Sequence, residues 1–344
     1  MNPRFRADLY RNNVLTFLIV LFLVATSACQ SVKHVMVLRD AQESISAASR
    51  ELNDLTLEAL TRNATASKAD PSFLEVTNTK LVPLSNAAIH DLGARFADVS
   101  NRLAALNENE RPALQQDKLY GTSMTLQLAA AWRAALLMQL AGDVAAPGSA
   151  GATGKLPEPP SFLDLRARVQ AVKRTVEADK TPLFARDEMM LEAMEPMLAY
   201  DNAYVFGIRF AREGRFAGTV PIEQRIATVN SVVEPMAQAE ADLQKLTLAN
   251  QAPHLINYIL VSRFIMLLTA NKLVFVAQVD RDPDGKPLDE ASAGARFPIL
   301  VTRLKKMRNE FAPADSALAK ALQQQVTQKQ WQDYLDVQLG KFWK

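Results

Sequence analysis

The chain has 344 residues, one cysteine and nearly balanced charge, with 39 basic and 37 acidic side chains. Residues 1–28 contain three Arg and one Asp, so the rest of the chain carries equal numbers of the two signs. This neutrality argues against non-specific nucleic-acid binding and against electrostatic docking to anionic lipids, since both need a basic surface. A single cysteine also excludes an internal disulfide, so a hydrophobic core must stabilise the fold.

The first 30 residues have the order of parts of a secretory signal. Three arginines precede an apolar run from Val14 to Ala25, and small residues then lead to Cys29. A lone cysteine in an exported chain is either a reactive thiol or a modified residue. The segment therefore predicts export, with residues 1–28 as the signal peptide.

Thr26-Ser27-Ala28-Cys29 resembles the lipobox of bacterial lipoproteins. The resemblance implies cleavage before Cys29 and a lipid-modified, acylated cysteine that anchors the protein in a membrane. Gln30 stands where an Asp would resemble the inner-membrane retention signal, which favours the outer membrane and its periplasmic face.

Two alternatives stay open for this segment. Residues 14–28 would form a membrane anchor if they were not cleaved, although about 20 apolar residues are normally needed to span a bilayer. An ordinary signal-peptidase cut near Ala28 would instead release a soluble protein.

The composition predicts an all-α protein. Strong helix formers dominate, only 12 Gly occur, and no long alternating run of Val, Ile and Thr appears. Helical periodicity and turn residues predict helices at about 31–63, 85–106, 113–140, 161–179, 181–214, 219–250, 254–279, 291–311 and 314–342. We expect a multi-helix bundle, in which Pro196 and Pro235 kink or divide their helices.

Residues 142–160 divide this series of helices. The segment is rich in Gly, Ala, Ser and Pro, a composition typical of a flexible linker. We therefore predict two helical subdomains, at 29–141 and 161–344.

Two predicted helices are apolar on nearly every face, at 113–140 and 254–279. Such helices lie in the centre of a protein core. The second contains Arg263 and Lys272. Because charges inside a bilayer are costly, we interpret it as a buried core helix rather than a membrane span.

Asp280, Asp282 and Asp284, followed by Gly285, have the spacing of the first half of an EF-hand calcium loop. The twelfth position is Ala291, where a bidentate Glu would close such a site. The segment therefore predicts a Ca²⁺ site with an incomplete ligand set or, as the alternative, a surface turn.

Other chemistry-bearing residues do not form a recognisable motif. The sequence has no zinc, P-loop, Rossmann or nucleophile-elbow pattern, and its three histidines are far apart. Glu188, Glu192 and Glu195 share one helix face, which predicts a solvated surface. Tyr200 and Tyr204 lie one turn apart, and we expect them to pack in the core.

The C-terminal helix is mostly polar but carries Trp331, Tyr334 and Trp343. Because aromatic residues are enriched at protein interfaces, we predict that these three bind a partner.

These observations favour a non-enzymatic protein. We expect a lipid-anchored helical scaffold or accessory subunit that binds another envelope protein. The alternative is a periplasmic carrier of a small molecule or lipid, held in an apolar pocket between helices. An enzyme that uses dispersed acidic residues is the third hypothesis.

Overall fold

The fold of the described residues is entirely helical, which confirms the predicted all-α, multi-helix class. The structure is a computed structural model that describes residues 31–49, 51–52, 86–141, 156–180, 183–246, 253–311 and 317. Residues 31–49 form α1, and 51–52 are also helical. The helices that follow are α2 (Asn86–Asn109), α3 (Arg111–Gln116), α4 (Tyr120–Ala141), α5 (Pro160–Asp179), α6 (Ala185–Arg212), α7 (Ile222–Lys245), α8 (Pro253–Val276), α9 (Glu290–Arg296) and α10 (Pro298–Phe311).

The predicted single helix at 113–140 is wrong, because the chain turns between α3 and α4. Lys118 adopts a left-handed conformation with a φ of 59°. The backbone N–H of Leu119 donates to the carbonyl of Leu114 over 2.8 Å, which closes the end of α3. The left-handed position is usually a Gly, so a Lys there gives no sequence signal of the break.

The predicted helix at 291–311 is also divided. Phe297 leaves the helical region, with φ −134° and ψ 63°, and separates α9 from α10. A residue before proline is disfavoured in the helical conformation, and Pro298 follows directly. Pro196 and Pro235 do not divide their helices, since α6 and α7 continue through them.

Helix α4 is the centre of the first part of the fold. It packs against α2, α5 and α6, and 17 of its 22 residues are buried. This confirms the prediction of a helix that is apolar on nearly every face. Helix α6 packs in turn against α7, α7 packs against α8, and α10 contacts both α7 and α8.

Helices α6, α7 and α8 meet at Gly207. A Cβ atom at this position would lie 2.9 Å from Leu273 Cδ1 and 3.2 Å from Val232 Cγ1. The small residue therefore allows a close approach of the three helices. Helix α8 is the predicted core helix, and among the helices of the described residues none has the length and apolarity to cross a bilayer.

One hydrophobic cluster contains side chains from both predicted subdomains. It includes Phe96 and Trp132 from the first and Val232 and Leu273 from the second. Most of the predicted linker, 142–155, lies outside the described residues, and the division of the chain at 142–160 stays a prediction.

Candidate functional site

The start of α1 is attached to the α2–α4 region by a cluster of polar side chains. His34 is fully buried, and its Nδ1 lies 2.7 Å from Asp117 Oδ2. The Ser31 hydroxyl donates to Asp117 Oδ1 over 2.5 Å. Lys33 Nζ and His34 Nε2 lie 3.5 Å and 3.6 Å from the Glu110 carboxylate. We call these five residues the N-terminal clamp.

The electrostatics of the N-terminal clamp favour an ionised Asp117. Hydrogen bonds from the Ser31 hydroxyl and from His34 hold the pKa of the Asp117 carboxyl below its usual range. His34 is one of the three histidines that are far apart in the sequence, and nothing near it in the chain indicates a partner. The partner lies 83 residues away, in the turn after α3 that the sequence does not signal.

Apolar packing continues the attachment along α1. Leu38 and Ala41 are buried in a cluster with side chains from α2 and α4, namely Val99, Leu103, Leu126 and Ala130. Because His34, Leu38 and Ala41 recur at helical spacing, they lie on one face of α1. This face fixes the rotation of α1 about its axis.

A buried carboxylate joins α6 to α4. Asp201 is 4 % exposed and accepts a hydrogen bond of 2.6 Å from Trp132 Nε1. Burial raises the pKa of the Asp201 carboxyl to about 6, although Arg133 and the Trp132 hydrogen bond oppose the rise. Sequence reasoning missed this residue, because a single Asp in a helix gives no sign that it will face the core.

A second buried carboxylate makes the same kind of contact. Asp187 accepts a hydrogen bond of 2.7 Å from the Thr122 hydroxyl of α4, and Arg186 lies 3.0 Å from its other oxygen. Asp187 and Asp201 are 14 residues apart, close to four helical turns, so they lie on the same face of α6. Both carboxylates therefore orient α6 against α4.

The predicted solvated face of α6 is confirmed at Glu188 and Glu192, which are both exposed, whereas Glu195 is half-buried and accepts a hydrogen bond from Gln170. Tyr200 and Tyr204 pack in parallel with ring centroids 6.0 Å apart, as expected for core residues. Burial raises the pKa of both phenols, that of Tyr204 to about 12.

Arg263 and Lys272 of α8 have different surroundings. Arg263 is 4 % exposed, and its Nε donates over 2.8 Å to Glu240, which is fully buried in α7. Arg303 and Glu310 of α10 extend this network, at 2.5 Å from Glu240 and 3.0 Å from Arg263. Lys272 is half-buried, and burial lowers its pKa.

The Asp280–Gly285 loop forms a hydrogen-bonded turn. Asp282 Oδ1 accepts from the backbone N–H of Lys286 over 2.8 Å, and Gly285 has a φ of 78°. Among the described residues, which include this loop, no group of three or more His, Cys, Asp or Glu has an arrangement suited to a metal. The backbone contacts of Asp280 and Asp282 thus support the turn, and the Ca²⁺ site at Asp280, Asp282 and Asp284 stays a prediction without geometric support.

An open groove of about 490 Å³ lies between α1 and α2. Its charged lining includes Arg95 and Arg102, which pair with Glu51 at 2.6 Å and Asp98 at 3.0 Å. The groove is therefore lined by paired charged side chains, and it does not resemble the apolar pocket of a carrier.

The remaining predicted site residues, Cys29, Trp331, Tyr334 and Trp343, lie outside the described residues. We compared the chain with protein-family models, curated proteins and solved structures, and none of the three comparisons found a match. We therefore infer the function from the residues and contacts described above.

Proposed function

We propose that this protein is a lipoprotein of the bacterial envelope that holds a helical body against the membrane as a scaffold or accessory subunit. Acyl chains on Cys29 anchor it at the periplasmic face of the outer membrane. The helical body presents its surface to another envelope protein. Its role is structural rather than enzymatic.

The N-terminal clamp is the observation that carries this proposal. Ser31 and His34 are bound to Asp117, and only Gln30 separates Ser31 from Cys29. Two residues of extended chain span about 7 Å. Acylation of Cys29 would therefore hold the body directly at the bilayer surface, at a set height, as a scaffold requires.

The buried polar groups support the same role. The carboxylates of Asp187 and Asp201 accept hydrogen bonds from a neighbouring helix, and Arg263 pairs with two glutamates from two other helices. Polar groups used in this way fix the relative positions of helices. They give the body the rigidity that a scaffold needs.

The first test is the intact mass of the protein extracted from its native membrane, beside a Cys29→Ser control. We expect a chain that begins at Cys29 and carries the added mass of acyl chains, and we expect the control to lack that mass. A chain that retains residues 1–28, or that lacks any modification at Cys29, would overturn the lipoprotein proposal.

The second test addresses the partner. Chemical crosslinking in intact cells, followed by purification of the protein, should recover one envelope protein in a fixed ratio. We expect the double substitution Trp331→Ala and Trp343→Ala to remove this product. The matched control is Phe184→Ala, which alters an aromatic side chain that is 60 % exposed on the body. Equal recovery from all three proteins would contradict the predicted binding role of the C-terminal aromatic residues.

A further inference from the structure

Exposed apolar side chains are concentrated at the start of α1. Eight large apolar side chains of the described residues are exposed, and four of them lie between Val32 and Val37. Val32, Val35 and Met36 are 59 %, 52 % and 64 % exposed. Their spacing places them on one side of the helix, and we call them the N-terminal apolar face.

The orientation of this face is fixed by the contacts on the opposite side of α1. His34 and Leu38 are buried there, in the N-terminal clamp and in the cluster with α2 and α4. The N-terminal apolar face therefore points away from the body. It is also short, because Arg39, which is 77 % exposed in its pair with Glu43, follows one turn later.

The sequence before α1 indicates what covers this face. Val32 follows Cys29 by three residues, a distance of at most about 10 Å in an extended chain. Acyl chains on Cys29 would bring the N-terminal apolar face to the bilayer surface, and so would retention of the apolar run that ends at Ala25. Interfacial helices bury their apolar side about 5–10 Å into the boundary between headgroups and acyl chains.

Attachment at Cys29 also explains why only three apolar side chains would be enough for contact with the bilayer. A tethered surface meets the bilayer at a high effective concentration, so that a weak contact is occupied without any further binding partner. An independent membrane-binding helix would need a longer apolar face. The small size of the face fits a contact that acts beside an anchor.

We propose that Val32, Val35 and Met36 insert into the bilayer that holds the lipid anchor. This inference rests on the proposed function, because the anchor supplies the proximity. An acyl anchor alone allows the protein to rotate about its attachment point, so its orientation relative to the membrane is not fixed. A second contact along α1 fixes the side of the body that faces the membrane, and hence the side that is available to a partner.

The test uses the full chain, produced with its own leader and reconstituted into phosphatidylethanolamine–phosphatidylglycerol vesicles. Met36→Cys introduces a thiol for a fluorescent label, and Met138→Cys is the matched control on α4, where the methionine is 41 % exposed. Quenching by nitroxide-labelled lipid reports contact with acyl chains, and quenching by aqueous iodide reports exposure to water. The parent chain, which has no other cysteine, shows whether Cys29 accepts the label.

We expect lipid quenching to be severalfold stronger at position 36 than at position 138, and iodide quenching to show the reverse order. Equal lipid quenching at both positions in a membrane-bound protein would overturn this inference and leave the lipid anchor intact. Shielding of position 36 from both quenchers would also overturn it, in favour of a protein partner. Labelling of Cys29 and loss of the protein from the vesicles would overturn the proposed function, and this inference with it.

Discussion

Replacement of Asp201 by Asn should make the protein less sensitive to pH. The Asp201 carboxyl has a pKa of about 6 in the folded protein, against 3.8 for an ordinary Asp. The folded state therefore binds the proton more tightly than the unfolded chain does. The resulting stabilisation is fully present below pH 3.8 and is lost as the pH rises to about 6, above which the buried charge is a constant penalty.

The magnitude follows from the difference between the two pKa values. A shift of about two units corresponds to about 3 kcal/mol, most of which is lost between about pH 4 and pH 7.5. In the Asp201→Asn variant the amide oxygen can still accept the hydrogen bond from Trp132, whereas the new N–H donors lack a defined acceptor. An unsatisfied donor costs about 1–3 kcal/mol at any pH. The part of the change in unfolding free energy that varies with pH therefore comes from the ionisation of the Asp201 carboxyl alone.

Urea unfolding of wild-type and Asp201→Asn protein, followed by helical circular dichroism, would measure this effect. Between about pH 4 and pH 7.5, we expect the free energy of unfolding of the variant to rise by about 2–3 kcal/mol relative to that of the wild type. The matched control is Glu192→Gln, on the same helix but exposed and paired with Lys173 at 3.5 Å. This control should show no comparable gain.

An equal difference between wild type and Asp201→Asn at both pH values would refute the reasoning. It would mean that the Asp201 carboxyl titrates at the same pH in the folded and unfolded chains. Burial beside Trp132 would then not penalise its charge.

Three further predictions concern packing, ion pairs and the N-terminal clamp. Gly93→Ala should stabilise the protein by about 0.5–1 kcal/mol, because Ala favours a helix and its Cβ would lie at an ordinary 3.6 Å from the nearest atom. Gly207→Ala should be less stable than Gly93→Ala, because its Cβ would lie only 2.9 Å from Leu273 Cδ1. Thermal unfolding of the two variants in the opposite order would contradict this. Arg263→Ala should destabilise the protein by about 1–3 kcal/mol, because it removes one of the two guanidinium partners of the buried Glu240 and leaves Arg303 in place. Arg39→Ala, at an exposed ion pair, should have no measurable effect on urea unfolding, and similar effects of the two substitutions would be inconsistent with the difference in burial. Asp117→Asn should speed hydrogen exchange in α1 but not in α6, and unchanged protection of α1 would show that the N-terminal clamp does not hold it.

The helical class and the central helices could be predicted because they depend on local patterns. The apolar character of α4 and α8 is visible in any short window of their sequences, and burial follows from it. The breaks between α3 and α4 and between α9 and α10 could not be predicted in the same way. Lys118 adopts a left-handed conformation at a position where no glycine marks a turn. Phe297 leaves the helix because Pro298 follows it, although the helical periodicity of 291–311 predicts one continuous helix.

The polar contacts could not be predicted because their partners are far apart in the chain. Trp132 and Asp201 are separated by 69 residues, and Arg263 and Glu310 by 47. A lone Asp, Arg or His has the same local sequence whether it faces water or a partner on another helix. Only the packing of α4 against α6 and of α8 against α7 and α10 decides this.

The unsignalled break at Lys118 and the N-terminal clamp are physically connected. Asp117 is the C-terminal capping residue of α3, and the left-handed Lys118 turns the chain away directly after it. This turn lets the two oxygens of the Asp117 carboxylate accept from Ser31 and His34 while α4 proceeds in another direction. In one continuous helix at 113–140, residue 117 would instead be part of the helix that packs along α2. The attachment of α1 beside the proposed lipid anchor therefore depends on a backbone conformation that the sequence alone does not indicate.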